Sequence, residues 1–263
     1  MLRTPSRLRY LVLLAVLAAS GCEFFTGEAK RHPAPIEFTI QSPYDDVRTF
    51  AIAPTINLSG SRDFDPLTVS DTLYTEMQQV QNLNVLPVNK TLIAMNRLNL
   101  QSIEKPADAQ KLAEALGADA LIVPAVTAYD PYDPPVVGMI LQMYTPNYVN
   151  GPASQSRLRS NRDSDLHTVK TNPDTPIIVA DVSASASPAA RASQPVSQVS
   201  AVFNATNQTV LKELQVFAAG RTQYDTALSD HKFLLDSDAY MRFVAHAMIR
   251  RLMDVERSRD SDR

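Results

Sequence analysis

The chain has 263 residues, 44% of them hydrophobic, which is enough to build a buried core in one or two domains. Its formal charge is −3, and loss of an N-terminal segment that carries three arginines and no acid makes it −6. A mildly acidic chain lacks the positive footprint of nucleic-acid binding, so no nucleic-acid partner is expected.

The first 21 residues have the pattern of a secretory signal peptide. Arg3, Arg7 and Arg9 precede an apolar run over 11–19, and small residues follow it. This run of nine residues is less than half of the ~20 that cross a bilayer as a helix. No later apolar segment reaches that length either, so we expect an exported chain without a membrane-spanning helix.

Residues Ala19-Ser20-Gly21-Cys22 resemble the lipobox of bacterial lipoproteins, although Ala19 stands where that family usually has leucine. The resemblance implies that Cys22 is acylated and becomes the new N-terminus. Glu23, in place of an aspartate, implies the outer membrane, with the protein facing the periplasm. The alternative is an ordinary cleaved signal peptide with a free thiol at Cys22. Because this cysteine has no second cysteine to pair with in an oxidising compartment, lipidation is favoured.

The remaining sequence alternates between strand and helix patterns behind a proline-containing tether over 22–46. In chain order the predicted elements are a strand over 47–54, a helix from Asp65-Pro66, a strand over 85–88, a helix opened by Asn89, a helix over 106–116 ended by Gly117, strands over 119–128, 136–144 and 196–203, a helix over 206–219 ended by Gly220, and a helix over 236–255.

These elements predict one α/β domain over 47–256, with α+β as the alternative and helices packed on a mixed sheet in two or three layers. Residues 145–195 are rich in serine, proline, arginine and asparagine, and we expect a partly disordered insertion there. A disordered tail is predicted over 257–263.

The segments FAIAPTINLSGS (50–61), NVLPV (84–88) and KLAEALGADALIVPAVTAYD (111–130) resemble a group of envelope proteins. This group comprises the N-terminal domain of the Tol-Pal translocation protein, the curli secretion lipoprotein and the penicillin-binding-protein activator lipoprotein. The resemblance covers about residues 47–128. It implies a small α/β domain that assembles, activates or scaffolds through protein contacts.

No motif predicts catalysis, a metal site or a cofactor. The seven glycines never cluster, which excludes a phosphate-binding loop or a dinucleotide-binding turn. The polar stretch from Ser59 to Asp65 is either an ion-binding loop or a turn that leads into a helix N-cap, and the turn is favoured. The four histidines are scattered and are expected at the surface or partly packed; they are His32, His167, His231 and His246.

One stretch is a candidate interaction loop, because three prolines stiffen it and two tyrosines offer apolar faces with polar tips. Its residues are Tyr129, Asp130, Pro131, Tyr132, Asp133, Pro134 and Pro135. A rigid connector between adjacent strands, with the tyrosines packed on the sheet edge, is an equally good interpretation.

The leading hypothesis is a non-enzymatic interaction module, held at the membrane by lipid and bound to an envelope protein of unknown identity. The resemblance to the curli secretion lipoprotein also allows an oligomeric secretion channel. However, residues 136–144 lack clean alternation, and 145–195 are too polar and proline-rich for membrane hairpins. An envelope hydrolase is the third possibility, and no motif favours it.

Overall fold

The computed structural model describes residues 40–146, 194–221 and 231–261, and the side chains as far as residue 258. Within these ranges a six-stranded mixed sheet carries helices on its faces, which confirms the predicted α/β fold. The predicted signal peptide, Cys22 and most of the predicted insertion lie outside the described residues.

The strands are β1 (Arg48–Ile52), β2 (Ile56–Asn57), β3 (Leu83–Leu86), β4 (Ala120–Asp130), β5 (Val136–Tyr144) and β6 (Ser197–Asn204). The helices are α1 (Pro66–Met77), α2 (Val88–Arg97), α3 (Pro106–Leu116), α4 (Gln208–Arg221), α5 (Lys232–Leu235) and α6 (Ser237–Ser261).

The sheet is parallel on one side and antiparallel on the other. Its order is β3-β1-β4-β5-β6, with β1 parallel to both β3 and β4. The short strand β2 pairs in parallel with β4 beyond the end of β1. β5 is antiparallel to both β4 and β6. The pairing of neighbouring strands therefore changes from parallel to antiparallel at β4.

Two apolar clusters, one on each face, make this a three-layer domain. Alternate residues of a strand point to opposite faces, and Phe50 and Ile52 belong to one cluster while Ala51 belongs to the other. Helices α1, α4 and α6 cover the first face, with Phe243 among its fully buried side chains. Helices α2 and α3 cover the second face, where Leu112 is fully buried.

The domain has two distinct ends. The N-terminal segment 40–47 lies where β1 starts, and we call this the tether end. We call the opposite end the hairpin end; it comprises residues 129–135, the turn over 57–65 and residues 235–238. Helix α6, about 37 Å long at 25 residues, joins the two ends. Near its start Ser237 hydrogen-bonds Tyr129, and near its finish Glu256 accepts a 2.8 Å hydrogen bond from the Tyr44 hydroxyl.

The folded part starts before residue 47, earlier than predicted. Ile40 is buried, Gln41 forms a parallel bridge with Gln81, and the Tyr44 ring packs on Phe50. These contacts hold residues 40–46, predicted to be tether, on the sheet and on α6.

Three predicted helix boundaries were wrong. Helix α6 continues to Ser261 where a tail was predicted, because Arg257 pairs with Asp254 and donates to the Gln41 carbonyl. Helix α4 runs through Gly220 to Arg221. Helix α2 begins at Val88 rather than after Asn89, since Pro87 occupies the N-cap position with extended backbone.

Candidate functional site

The candidate interaction loop is divided between a strand and a true turn. Tyr129 and Asp130 are the last residues of β4, and only residues 131–135 connect β4 to β5. The two tyrosines therefore have different surroundings.

Tyr129 packs into the domain. Its ring lies edge-on to the buried Phe64, with 5.3 Å between ring centroids. Burial raises the pKa of the Tyr129 phenol, a hydrogen bond with Ser237 opposes this, and the nearby charges of Asp238 and Asp63 raise it further. Tyr129 thus fits the connector interpretation, and it shows that three separate segments converge at the hairpin end.

Tyr132 points to solvent at the tip of the turn, with 72% of its surface exposed. The turn below it is held at both sides. The Asp130 carboxylate accepts a 3.2 Å hydrogen bond from the Tyr132 backbone N–H, and the carbonyl of the buried Pro135 accepts one from Ala205. The exposed ring is therefore presented on a hairpin that these hydrogen bonds support.

Aspartates are concentrated around this tip. Two of them are helix caps: Asp65 accepts from the Leu67 N–H at the start of α1, and Asp236 accepts from the Asp238 and Ala239 N–H groups at the start of α6. Such caps satisfy helix N–H groups that otherwise lack partners. These two carboxylates therefore have a structural role in the fold.

Four other aspartates at the hairpin end are exposed, and their side chains do not cap a described helix: Asp63, Asp130, Asp133 and Asp238. Among the described residues, no lysine or arginine forms a salt bridge with any of them. Of the bases nearby in sequence, Arg62 is exposed and Lys232 lies over the Phe233 ring. The result is an acidic surface around an exposed aromatic ring.

The stretch 57–65 is a polar turn that leads into a helix N-cap. The Asn57 amide donates to the Ser61 carbonyl at 2.9 Å, and the Asn57 side-chain oxygen accepts from Ser59. Asp65 then caps α1. Over the described residues, no group of three or more His, Cys, Asp or Glu side chains is arranged to hold a metal ion.

A buried ionic cluster lies under α4, and no local sequence pattern predicts it. Glu76 of α1 is only 1% exposed, and Arg221, the last residue of α4, binds both of its carboxylate oxygens. The Nδ1 atom of His246 on α6 lies 3.6 Å from Glu76 Oε2. The Phe217 ring contacts both the His246 ring and the Arg221 guanidinium. Burial raises the pKa of Glu76, but its interactions with His246 and Arg221 outweigh burial and lower it overall.

This cluster connects three helices inside the domain. It ties the C-terminal ends of α1 and α4 to the middle of α6, away from the hairpin end. His246 is thus buried, deeper than the surface or partly packed position expected for the histidines, whereas His231 is exposed. His32 and His167 lie outside the described residues. None of the described helices is long and apolar enough to cross a membrane.

No protein-family model matches the sequence, and no curated protein matches it. Among solved structures, the chain is similar to the LpoB C-terminal domain from Salmonella enterica, at 15% identity over 37% of this chain and 73% of that one, with a TM-score of 0.31. Lipoprotein GNA1162 from Neisseria meningitidis is similar at 17% identity over 37% and 69%, with a TM-score of 0.29. The PelC dodecamer from Paraburkholderia phytofirmans is similar at 13% identity over 44% and 67%, with a TM-score of 0.25.

Proposed function

We propose that this protein is a lipid-anchored, non-enzymatic interaction module of the bacterial outer membrane, facing the periplasm. Acylated Cys22 holds it at the membrane, and the hairpin end, with Tyr132 at its tip, binds an envelope protein. Two acyl chains are sufficient for stable anchoring where one chain is not.

The observation that carries the proposal is the placement of the two ends. Ile40, the first described residue, lies at the tether end, whereas Tyr132 lies beyond the far end of β4. β4 has 11 residues and therefore spans roughly 36 Å. An anchor at Cys22 thus attaches to one end of the domain and leaves the opposite end accessible to a partner.

The anchoring half of the proposal is tested by Cys22→Ala in cells, followed by membrane fractionation and mass spectrometry of the N-terminal peptide. We expect wild-type protein in the outer-membrane fraction with an acylated Cys22, and the variant in the soluble periplasmic fraction. A variant that stays with the membrane, or an N-terminal peptide without acyl chains, contradicts the anchor.

The interaction half is tested by photo-crosslinking in cells, with a photoreactive phenylalanine analogue at Tyr132. The control places the same analogue at Lys111, an exposed position of α3 on the second face. We expect a discrete protein adduct from position 132 and none from position 111. Equal labelling at both positions, or no protein adduct at 132, contradicts an interaction site at the hairpin end.

A further inference from the structure

The exposed apolar groups at the hairpin end lie among carboxylates. Tyr132 is 72% exposed and Leu235, which directly precedes the α6 N-cap, is 58% exposed. Both are large side chains of the kind that interfaces bury, and tyrosine supplies contact area with little loss of rotamer freedom. This end of the domain is therefore suited to docking another protein.

The negative charges around these two side chains favour a partner surface of positive charge. Asp63 precedes Phe64, whose ring packs on Tyr129, and Asp238 follows Ser237, which hydrogen-bonds Tyr129. Asp130 and Asp133 lie on either side of Tyr132 in the chain. Along the described chain no basic residue neutralises these four by a salt bridge. A partner surface of the same sign meets like-charge repulsion here, whereas a positive one is attracted and steered.

We propose that the partner docks on the hairpin end through a positively charged polypeptide segment. Its lysine or arginine side chains pair with Asp130 and Asp133 beside the tip and with Asp63 and Asp238 at the base. An arginine is also able to lie over the exposed face of Tyr132, since guanidinium groups are attracted to aromatic faces. This inference rests on the proposed function and adds the chemistry of the partner.

The test uses the full-length lipoprotein in cells, with the photoreactive analogue at Tyr132 and the crosslinked partner peptide sequenced by mass spectrometry. The test pair is Asp130→Asn with Asp133→Asn, and the control pair is Glu104→Gln with Glu114→Gln, which removes the same charge from exposed positions elsewhere. Asparagine at 130 keeps the oxygen that accepts from the Tyr132 N–H, so the turn is preserved.

We expect the partner peptide to carry net positive charge. The test pair should lower the adduct yield by roughly three- to tenfold, since each exposed ion pair contributes only modestly to binding. The control pair should leave the yield unchanged, and thermal unfolding should show that every variant is folded.

The outcomes separate this inference from the proposed function. A protein adduct whose partner peptide is neutral or acidic, or whose yield is insensitive to the test pair, overturns the basic segment but keeps the interaction site. Absence of any protein adduct at position 132 overturns both. An equal loss of yield in both pairs also overturns the inference, because the effect then follows net charge rather than this surface.

Discussion

Arg221 donates hydrogen bonds from both terminal guanidinium nitrogens to the two carboxylate oxygens of Glu76, which lies 145 residues earlier in the chain. The pair joins the C-terminal ends of α1 and α4, and Gln79 accepts a further hydrogen bond from Arg221 at 2.8 Å. The two partners differ in exposure, because Glu76 is 1% exposed and the Arg221 side chain is 26% exposed. That difference decides which of the two is more costly to remove.

Loss of the arginine should destabilise the fold more than loss of the acid. Arg221→Met leaves a buried carboxylate with only His246 beside it, and we expect a loss of about 3–5 kcal/mol in the free energy of unfolding. Glu76→Gln leaves Arg221 able to reach water, and the loss should be smaller. Urea denaturation of both single variants and the double variant measures this. A larger cost for Glu76→Gln contradicts the argument.

The same pair makes stability depend on pH in the acid range. The pKa of Glu76 is lowered in the fold from its ordinary value of 4.5, because the interactions with His246 and Arg221 outweigh the opposing effect of burial. Between the two values the unfolded chain binds more protons, so stability rises with pH there. The contribution is complete above about pH 4.5 and is lost as pH falls through the folded value.

Denaturation curves from pH 6 down to pH 3 test this sign. The wild-type free energy of unfolding should fall more steeply than that of Glu76→Gln, which has no carboxylate to protonate at this position. Parallel curves for the two proteins rule out a contribution from Glu76.

The buried hydroxyl of Tyr240 has no hydrogen-bond partner in the part of the chain that the structure describes. Its side chain is 1% exposed, its Oη atom makes no hydrogen bond to any described residue, and burial raises the pKa of the phenol. Because an unsatisfied buried polar group costs free energy, Tyr240→Phe should be neutral or stabilise by up to about 1 kcal/mol. The matched control is Tyr44→Phe, which removes the 2.8 Å hydrogen bond to Glu256 and should destabilise. Thermal unfolding separates the two. A clear loss at Tyr240→Phe shows that its hydroxyl is bonded.

Gly138 of β5 lies opposite an irregularity in the pairing of β4 with β5. The register shifts between Val126 and Ala128, and a Cβ built on Gly138 meets the Thr127 Oγ1 atom at 2.6 Å. Gly138→Ala should therefore destabilise by about 1–3 kcal/mol, as overpacking does. In a Thr127→Ala background part of this loss should be recovered, because the Oγ1 atom is gone. The recovery should be incomplete, because the new Cβ still contacts Ala128 at 3.2 Å. Additive effects of the two substitutions contradict this steric explanation.

The elements that the sequence predicted well are those with local signals. Helix α3 combines a proline in its first turn with Gly117, which takes a left-handed φ of 63° as the helix ends. The apolar run that follows is buried as β4 because it lies in the middle of the sheet. Proline, glycine and apolar runs act within a few residues, so a single sequence displays them.

The features that were missed depend on contacts between distant parts of the chain. β2 has only two residues and exists because it pairs with Ala125 and Val126. Gly220 does not end α4, since the next residue is held by Glu76. The sequence placed seven residues in one candidate loop without showing which tyrosine faces solvent. The packing of Phe64 against Tyr129 and the hydrogen bond of Tyr129 with Ser237 distinguish the two.

Tyr129 and Tyr132 should accordingly separate stability from interaction. Tyr129→Ala removes a ring that packs on Phe64 and should cost about 2–4 kcal/mol, close to the range for buried aromatic residues. Tyr132→Ala removes a side chain that is 72% exposed and should change stability by no more than about 0.5 kcal/mol.

Co-purification from cells after chemical crosslinking provides the second readout. The stable Tyr132→Ala protein should lose its partner, because the exposed ring contributes contact area to the interface and little to the stability of the fold. Tyr129→Phe, which keeps the ring on Phe64, should retain the partner. If Tyr132→Ala retains the partner at wild-type level, then the tip of the hairpin is not the docking site, and residues 131–135 are the rigid connector that the sequence equally allowed.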